Sequence, residues 1–84
     1  MKIEVFGPGC AKCANLEKLV KDTLKEMNIE AEVAKVTDIN EMVSRGVMLT
    51  PALFIDGKKK SEGKVPSKEE ITVWLKQVVN QNGQ

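Results

Sequence analysis

The residues KIEVF (2–6) largely alternate, with Ile3, Val5 and Phe6 apolar, and this period of two predicts a strand that breaks at Gly7-Pro8-Gly9. Beyond the break the period lengthens. Leu16, Leu19, Val20, Thr23, Leu24 and Met27 recur at helical spacing along one face, while Glu17 and Lys21 stand four apart on the polar side. A helix is therefore expected from the cysteines at 10 and 13 to the neighbourhood of Asn28. IEAEVAKV (29–36) predicts a second strand. In TDINEMVSRG (37–46), Asp38 is an expected N-cap with Glu41 three residues on, and Gly46 is a stop, which outlines a short helix. ALFID (52–56) is a continuous apolar run of the kind a central strand carries, and Asp56-Gly57-Lys58 marks a hairpin turn into a polar strand over 58–64. The last pattern, VPSKEEITVWLKQVV, spaces Ser67 and Glu70 as a capping box ahead of Ile71, Trp74, Leu75, Val78 and Val79, predicting an amphipathic terminal helix.

The resulting order is β-α-β-α-β-β-α. A strand–helix–strand unit implies two parallel strands joined by a right-handed crossover. The hairpin then adds antiparallel strands, so the expected class is α/β, with a four-stranded mixed sheet flanked by helices and the polar fourth strand at an edge. A chain of 84 residues holds one hydrophobic core. Residues 1–80 are expected to form a single domain and 81–84 a frayed tail.

Composition narrows the partners. With 42% hydrophobic and 30% charged residues, a formal charge of +1 and only three aromatic side chains, the chain has no charge-driven partner, and no basic stripe interleaved with aromatics supports nucleic-acid binding. Its longest basic run, Lys58, Lys59 and Lys60, is assigned to a solvated turn or edge strand, where lysines discourage strand-to-strand association. The apolar run at the N-terminus is too short for a signal peptide, and no segment is long enough to span a membrane. A cytoplasmic, reducing address is the expectation, and there a static disulfide is disfavoured. The chain has no histidine, which removes the commonest metal ligand and the commonest general base together.

The two cysteines are three residues apart where the first helix is expected to begin. That spacing places their sulfurs on one face, close enough to form a small disulfide ring. Cys10 faces the unpaired N–H groups and the positive end of the helix dipole, both of which favour thiolate, so it is the expected nucleophile. Lys12 adds a positive charge within the ring that tunes the thiolate. Cys13, further inside the helix, is the expected resolving thiol: Cys10 attacks a target disulfide, and Cys13 then attacks Cys10 and releases the reduced target. This redox-active Cys10–Cys13 pair needs no further cofactor. Metal binding stays open as the alternative. GPGCAKC also resembles the Met-x-Cys-x-x-Cys loop of small heavy-metal chaperones, and two thiolates suffice to hold Cu(I). Against this, Pro8 stands where that family has methionine, the chain ends on a helix rather than a strand, and a structural zinc site wants four ligands. A non-catalytic interaction domain is a third possibility.

Taken together, VFGPGCAKC, RGVMLTPALFIDGK and EGKVPSKEEITVWL resemble the thioredoxin superfamily, and most closely the short prokaryotic thioredoxin/glutaredoxin-like dithiol proteins. The resemblance covers nearly the whole chain and implies a thioredoxin-like fold and protein-disulfide oxidoreductase activity. On the residues alone Thr50-Pro51 is expected to be trans, since X–Pro bonds are cis only a few per cent of the time; the resemblance implies cis. It also implies that this loop lies against the cysteine motif, that the backbone of Thr50 pairs with an extended target segment, and that Gly9 and Pro51 border the same surface. Expected partners are disulfide-containing proteins and an upstream reductase, with the chain a monomer. The chain departs from the family at Gly9, where a tryptophan is usual, and at Ala11 and Lys12, where Gly-Pro is usual. A glutathione cradle is unsupported, because Gly63 is followed by Lys64 rather than by a second glycine and an acid. Trp74 is assigned to the core, and Met27, Met42 and Met48 to packing, with Met48 the one placed to line a target groove.

Overall fold

A computed structural model describes residues 1–9 and 11–82, with backbone alone at 81 and 82; Cys10, Gly83 and Gln84 lie outside the described residues. The elements are β1 (Lys2–Phe6), α1 (Ala11–Met27), β2 (Glu32–Val36), α2 (Ile39–Ser44), β3 (Ala52–Ile55), β4 (Lys58–Glu62) and α3 (Lys68–Asn82). The sheet order is β2-β1-β3-β4. β1 runs parallel to β2 and antiparallel to β3, which is antiparallel to β4, so the sheet is mixed, with polar β4 at one edge.

Side-chain alternation divides the core in two. From one face Ile3, Val5, Leu53 and Ile55 meet Leu16, Val20 and Leu24 of α1 and Ile71, Leu75 and Val78 of α3. From the other, Phe6, Ala52 and Phe54 meet Met42 of α2 and Val47 just beyond it. β1 and β3 are the central strands, covered on both sides, so every residue in them except Lys2 is buried. Trp74 and Met27 pack at the margin of the larger cluster, and Met42 is buried. Met48 is 89% exposed, against the packing role assigned to it from its sequence.

The helix ends follow local chemistry. Asn28 takes a left-handed φ of 58°, its N–H donates to Lys25 and that of Ile29 donates to Leu24, the paired bonds of a Schellman cap. This cap removes 29–31 from the strand predicted over 29–36. α2 starts on Asp38, whose side chain accepts from the Asn40 N–H at 2.8 Å. It closes with the same cap geometry, the N–H groups of Gly46 and Val47 donating to Val43 and Met42. Ser67 and Glu70 bond reciprocally at the start of α3, at 3.0 and 3.1 Å. That helix runs through Asn82, past residue 80 where a frayed tail was expected to follow. Asp56 and Gly57 form the tight turn between β3 and β4. The Thr50–Pro51 peptide bond is cis.

One departure from simple pairing matters below. Leu53 pairs with Ser61 but Phe54 pairs with Lys59, so Lys60 is an extra residue in β4, a bulge.

Candidate functional site

β1 carries Gly7 to the end of the sheet beside the first turn of α1. The Gly7 N–H donates to the Val36 carbonyl at 2.9 Å, which fixes this backbone as a continuation of the parallel pairing. The sulfur of Cys13 then fills the place a side chain would take. A methyl carbon on Gly7 would stand 2.1 Å from Cys13 Sγ and 3.3 Å from its Cβ, with Thr50 Cβ at 3.8 Å. The end of β1, the start of α1 and the Thr50–Pro51 loop therefore converge on one point. Cys13 is 2% exposed. Cys10 lies outside the described residues; its neighbours in the chain, Gly9 and Ala11, are both exposed.

The remaining expected site residues divide by exposure. Lys12 and Thr50 face solvent, and Pro51 is fully buried beneath Thr50. Among the described residues the N–H and C=O of Thr50 enter no hydrogen bond, while the Pro51 carbonyl accepts from the Gly63 N–H at 2.9 Å. Gly9 is exposed with φ 93°, and among the described residues nothing lies within 4 Å of an added Cβ, so it contributes backbone shape.

Three residues not singled out from the sequence support this end of the molecule. Glu62 accepts the N–H groups of Met48 and Leu49 through one oxygen, at 2.5 and 3.0 Å, and pairs with Lys59 through the other at 2.9 Å. The Lys59 ammonium first, and these two N–H groups next, hold the Glu62 carboxyl down to about 2. Lys59 is thus tied to the loop, in contrast to the solvated role expected of the whole basic run. At the C-terminal end of α2, Arg45 makes a two-pronged bond to Glu4 of β1, at 2.9 and 3.1 Å, with its guanidinium 5.3 and 4.8 Å from the ring centres of Phe6 and Phe54. That bond, against the opposing effect of burial, keeps the Glu4 carboxyl below the ordinary range. Gly7 had one sequence signal, a glycine at a strand end shortly before the cysteines; the two ion pairs had none, because their partners meet only in the fold.

Metal-ligand geometry is sparse. Among the described residues no three Cys, Asp or Glu side chains converge.

An α/β chain with this sheet order, with a buried cysteine in the first turn of α1 against the end of β1, has the architecture of a thioredoxin. It belongs to the thioredoxin superfamily, a family of thiol–disulfide oxidoreductases, and the family model described as "Thioredoxin domain" matches residues 1–76. It is similar to "Thioredoxin" of Methanothermobacter thermautotrophicus, 42% identical over 71 residues, covering 84% of this chain and 92% of the relative. It is likewise similar to "Thioredoxin" of Methanocaldococcus jannaschii, 45% identical over 74 residues, covering 88% of this chain and 85% of the relative.

Proposed function

We propose that this chain is a protein-disulfide oxidoreductase of the thioredoxin type, with Cys10 as nucleophile and Cys13 as resolving thiol. The observation that carries the reading is the convergence of Cys13 Sγ, Gly7 and Thr50 on one point at the end of the sheet. In the forward direction the Cys10 thiolate attacks one sulfur of a target disulfide. The bond between the target's sulfurs breaks, one target thiolate leaves, and a mixed disulfide forms. Cys13 gives up its proton and attacks Cys10 Sγ; the mixed disulfide breaks, the second target thiolate leaves, and the Cys10–Cys13 disulfide remains. Two electrons have passed to the target, and an upstream dithiol reductase restores them. Burial favours the neutral thiol of Cys13 until it is needed, whereas Cys10 precedes the first residue of α1, where helix N–H groups favour its thiolate.

The exposed Lys12 adds positive charge beside the pair and stabilises the reduced thiolate, which makes the protein more oxidising. Thr50, whose N–H and C=O are unbonded among the described residues, offers its peptide edge to an extended target segment, with the buried Pro51 next to it and Gly9 at the border. The pair works without a bound cofactor, on disulfide-containing proteins, as a monomer in the cytoplasm. Among the described residues no helix is long and apolar enough to cross a membrane.

The test is reduction of insulin disulfides with dithiothreitol as electron source, for wild type, Cys10→Ser and Cys13→Ser, together with the pH dependence of Cys10 alkylation. Wild type is expected to outpace dithiothreitol alone, Cys10→Ser to lose that advantage, and Cys13→Ser to accumulate mixed disulfide. Cys10 is expected to alkylate with a pKa below the ~8.5 of a free cysteine. No acceleration by wild type, with Cys10 titrating like a free thiol, would overturn the reading; stoichiometric, cysteine-dependent retention of Cu(I) would then favour the metallochaperone.

A further inference from the structure

The segment over 48–50 lies between two buried residues, Val47 and Pro51, yet it is not held by burial. Met48 is 89% exposed and Leu49 63%. What holds it is polar and comes from β4. Lys59 Nζ donates to the Gly46 carbonyl at 3.1 Å and to Glu62 Oε1 at 2.9 Å, while Glu62 Oε2 accepts the N–H groups of both Met48 and Leu49. Two side chains of one strand thus grip three backbone groups just before Thr50, one carbonyl and two N–H groups.

The bulge makes this possible. In an unbroken strand, residues three apart point to opposite faces, and Lys59 and Glu62 would be separated by the sheet. The extra residue, Lys60, restores them to one face: Lys59 pairs with Phe54 and Glu62 with Ala52, both of which look toward α2. Ser61 is turned with Leu53 to the other side. Bulges re-aim side chains next to functional sites, and here the re-aimed pair meets the loop.

We propose that Lys59 and Glu62 are positioning residues for target binding, holding the backbone of 46–49 so that the peptide edge of Thr50 is presented to an extended polypeptide. This rests on the oxidoreductase reading above. A carboxylate receiving two N–H groups on one oxygen and an ammonium on the other has little freedom to rotate, so the two peptide planes it holds are fixed relative to β4. The Gly63 N–H, one residue on, fixes the Pro51 carbonyl in turn. Between these anchors Thr50 keeps its own N–H and C=O unbonded among the described residues, which is the arrangement a strand-like target segment requires. Because the clamp orders the loop before the target arrives, its loss shows in binding rather than in the sulfur chemistry.

The experiment compares wild type with Glu62→Ala, Glu62→Gln and Lys59→Met in insulin reduction, resolving KM from kcat, and follows hydrogen exchange at the Met48 and Leu49 amides. Glu62→Ala is expected to raise KM about tenfold while kcat stays within about twofold, the pattern of lost binding rather than lost chemistry. Glu62→Gln retains one carbonyl oxygen for the two N–H groups and is expected to fall between Glu62→Ala and wild type, and exchange at Met48 and Leu49 is expected to accelerate in the same order. If Glu62→Ala does not fold, Glu62→Gln and Lys59→Met carry the same comparison. An unchanged KM in a wild-type-active background, or a fall in kcat with KM unmoved, overturns the positioning role and leaves the oxidoreductase standing. A wild type unable to reduce insulin overturns both.

Discussion

At Gly7 an alanine methyl would lie 2.1 Å from the Cys13 sulfur, far inside van der Waals contact, whereas at Gly9 it would meet nothing within 4 Å among the described residues. The two glycines flank Pro8 and answer to different physics. Gly7 leaves room for a sulfur. Gly9, at φ 93°, holds a backbone conformation that L side chains resist. Gly7→Ala is therefore expected to destabilise the fold by about 1–3 kcal/mol, as overpacking does, and to displace Cys13 Sγ, the proposed resolving sulfur. In quenched reactions with a disulfide target, mixed disulfide should accumulate in Gly7→Ala more than in wild type. Gly9→Ala is expected to cost about 1–2 kcal/mol of backbone strain without that accumulation. Equal resolution rates in Gly7→Ala and wild type would show that Gly7 does not set the position of Cys13. Cys13 and Thr50, which the fold brings together at Gly7, stand in short motifs at changes of period. Gly7 was legible only as a strand end, since the atom it accommodates reaches it through the fold.

Element boundaries reflect the same divide between local and non-local signals. Asp38, Ser67 with Glu70, and the Asp56-Gly57 turn act on their own neighbours in sequence, and each element that follows them starts where the pattern placed it. Asn28 is a local signal too, but an ambiguous one. Its left-handed φ of 58° ends α1 and draws Ile29 back onto Leu24, so the apolar 29–31 segment that resembled the start of a strand belongs to the cap. The cap has a measurable consequence: Asn28→Gly is expected to leave stability unchanged or raise it by up to ~1 kcal/mol, and Asn28→Ala to lower it by about 1 kcal/mol, in urea unfolding. A gain in Asn28→Ala would mean that the left-handed residue does not limit the helix end. The β4 bulge has no local signal at all. KKKSE reads as a period-two edge strand, and the register shift exists only relative to β3, so the approach of Lys59 and Glu62 was hidden with it.

At the scale of the whole molecule the two faces of the sheet are unequally covered. α1 and α3 bury a broad cluster on one side, whereas on the other the six-residue α2 contributes Met42 and leaves Ile39 and Val43 exposed at 71% and 69%. A helix of that length has little stability of its own, so its attachment depends on the few groups that reach the sheet. Arg45 at its C-terminus is one of them, bonded twice to Glu4 and lying over Phe6 and Phe54. The same attachment carries the loop that begins at Gly46, which ties stability of this layer to the candidate docking surface. Removing Arg45 would leave Glu4, a nearly buried carboxylate on the central strand β1, without its partner; Arg45→Met is expected to cost about 2–4 kcal/mol. The pair also sets a pH dependence. The bond to Arg45 holds the folded Glu4 carboxyl below its ordinary 4.5, so the unfolded chain takes up this proton first as pH falls. The stability contributed by Glu4 ionisation is therefore complete above the ordinary value and is lost as pH drops through the lower folded value. Glu4→Gln has no such proton to bind. The stability difference between wild type and Glu4→Gln, measured by urea unfolding, is thus expected to be constant from neutral pH to about 5 and to shrink steadily below 4.5. Glu17, Glu62 and Glu70 are also held below their ordinary range, but they are common to both proteins and cancel in the difference where they act independently of position 4. A difference that stays constant through the acid range would show that the Glu4–Arg45 bond is not stronger in the charged form, and that packing of the guanidinium over the two rings is what fastens α2 to the sheet.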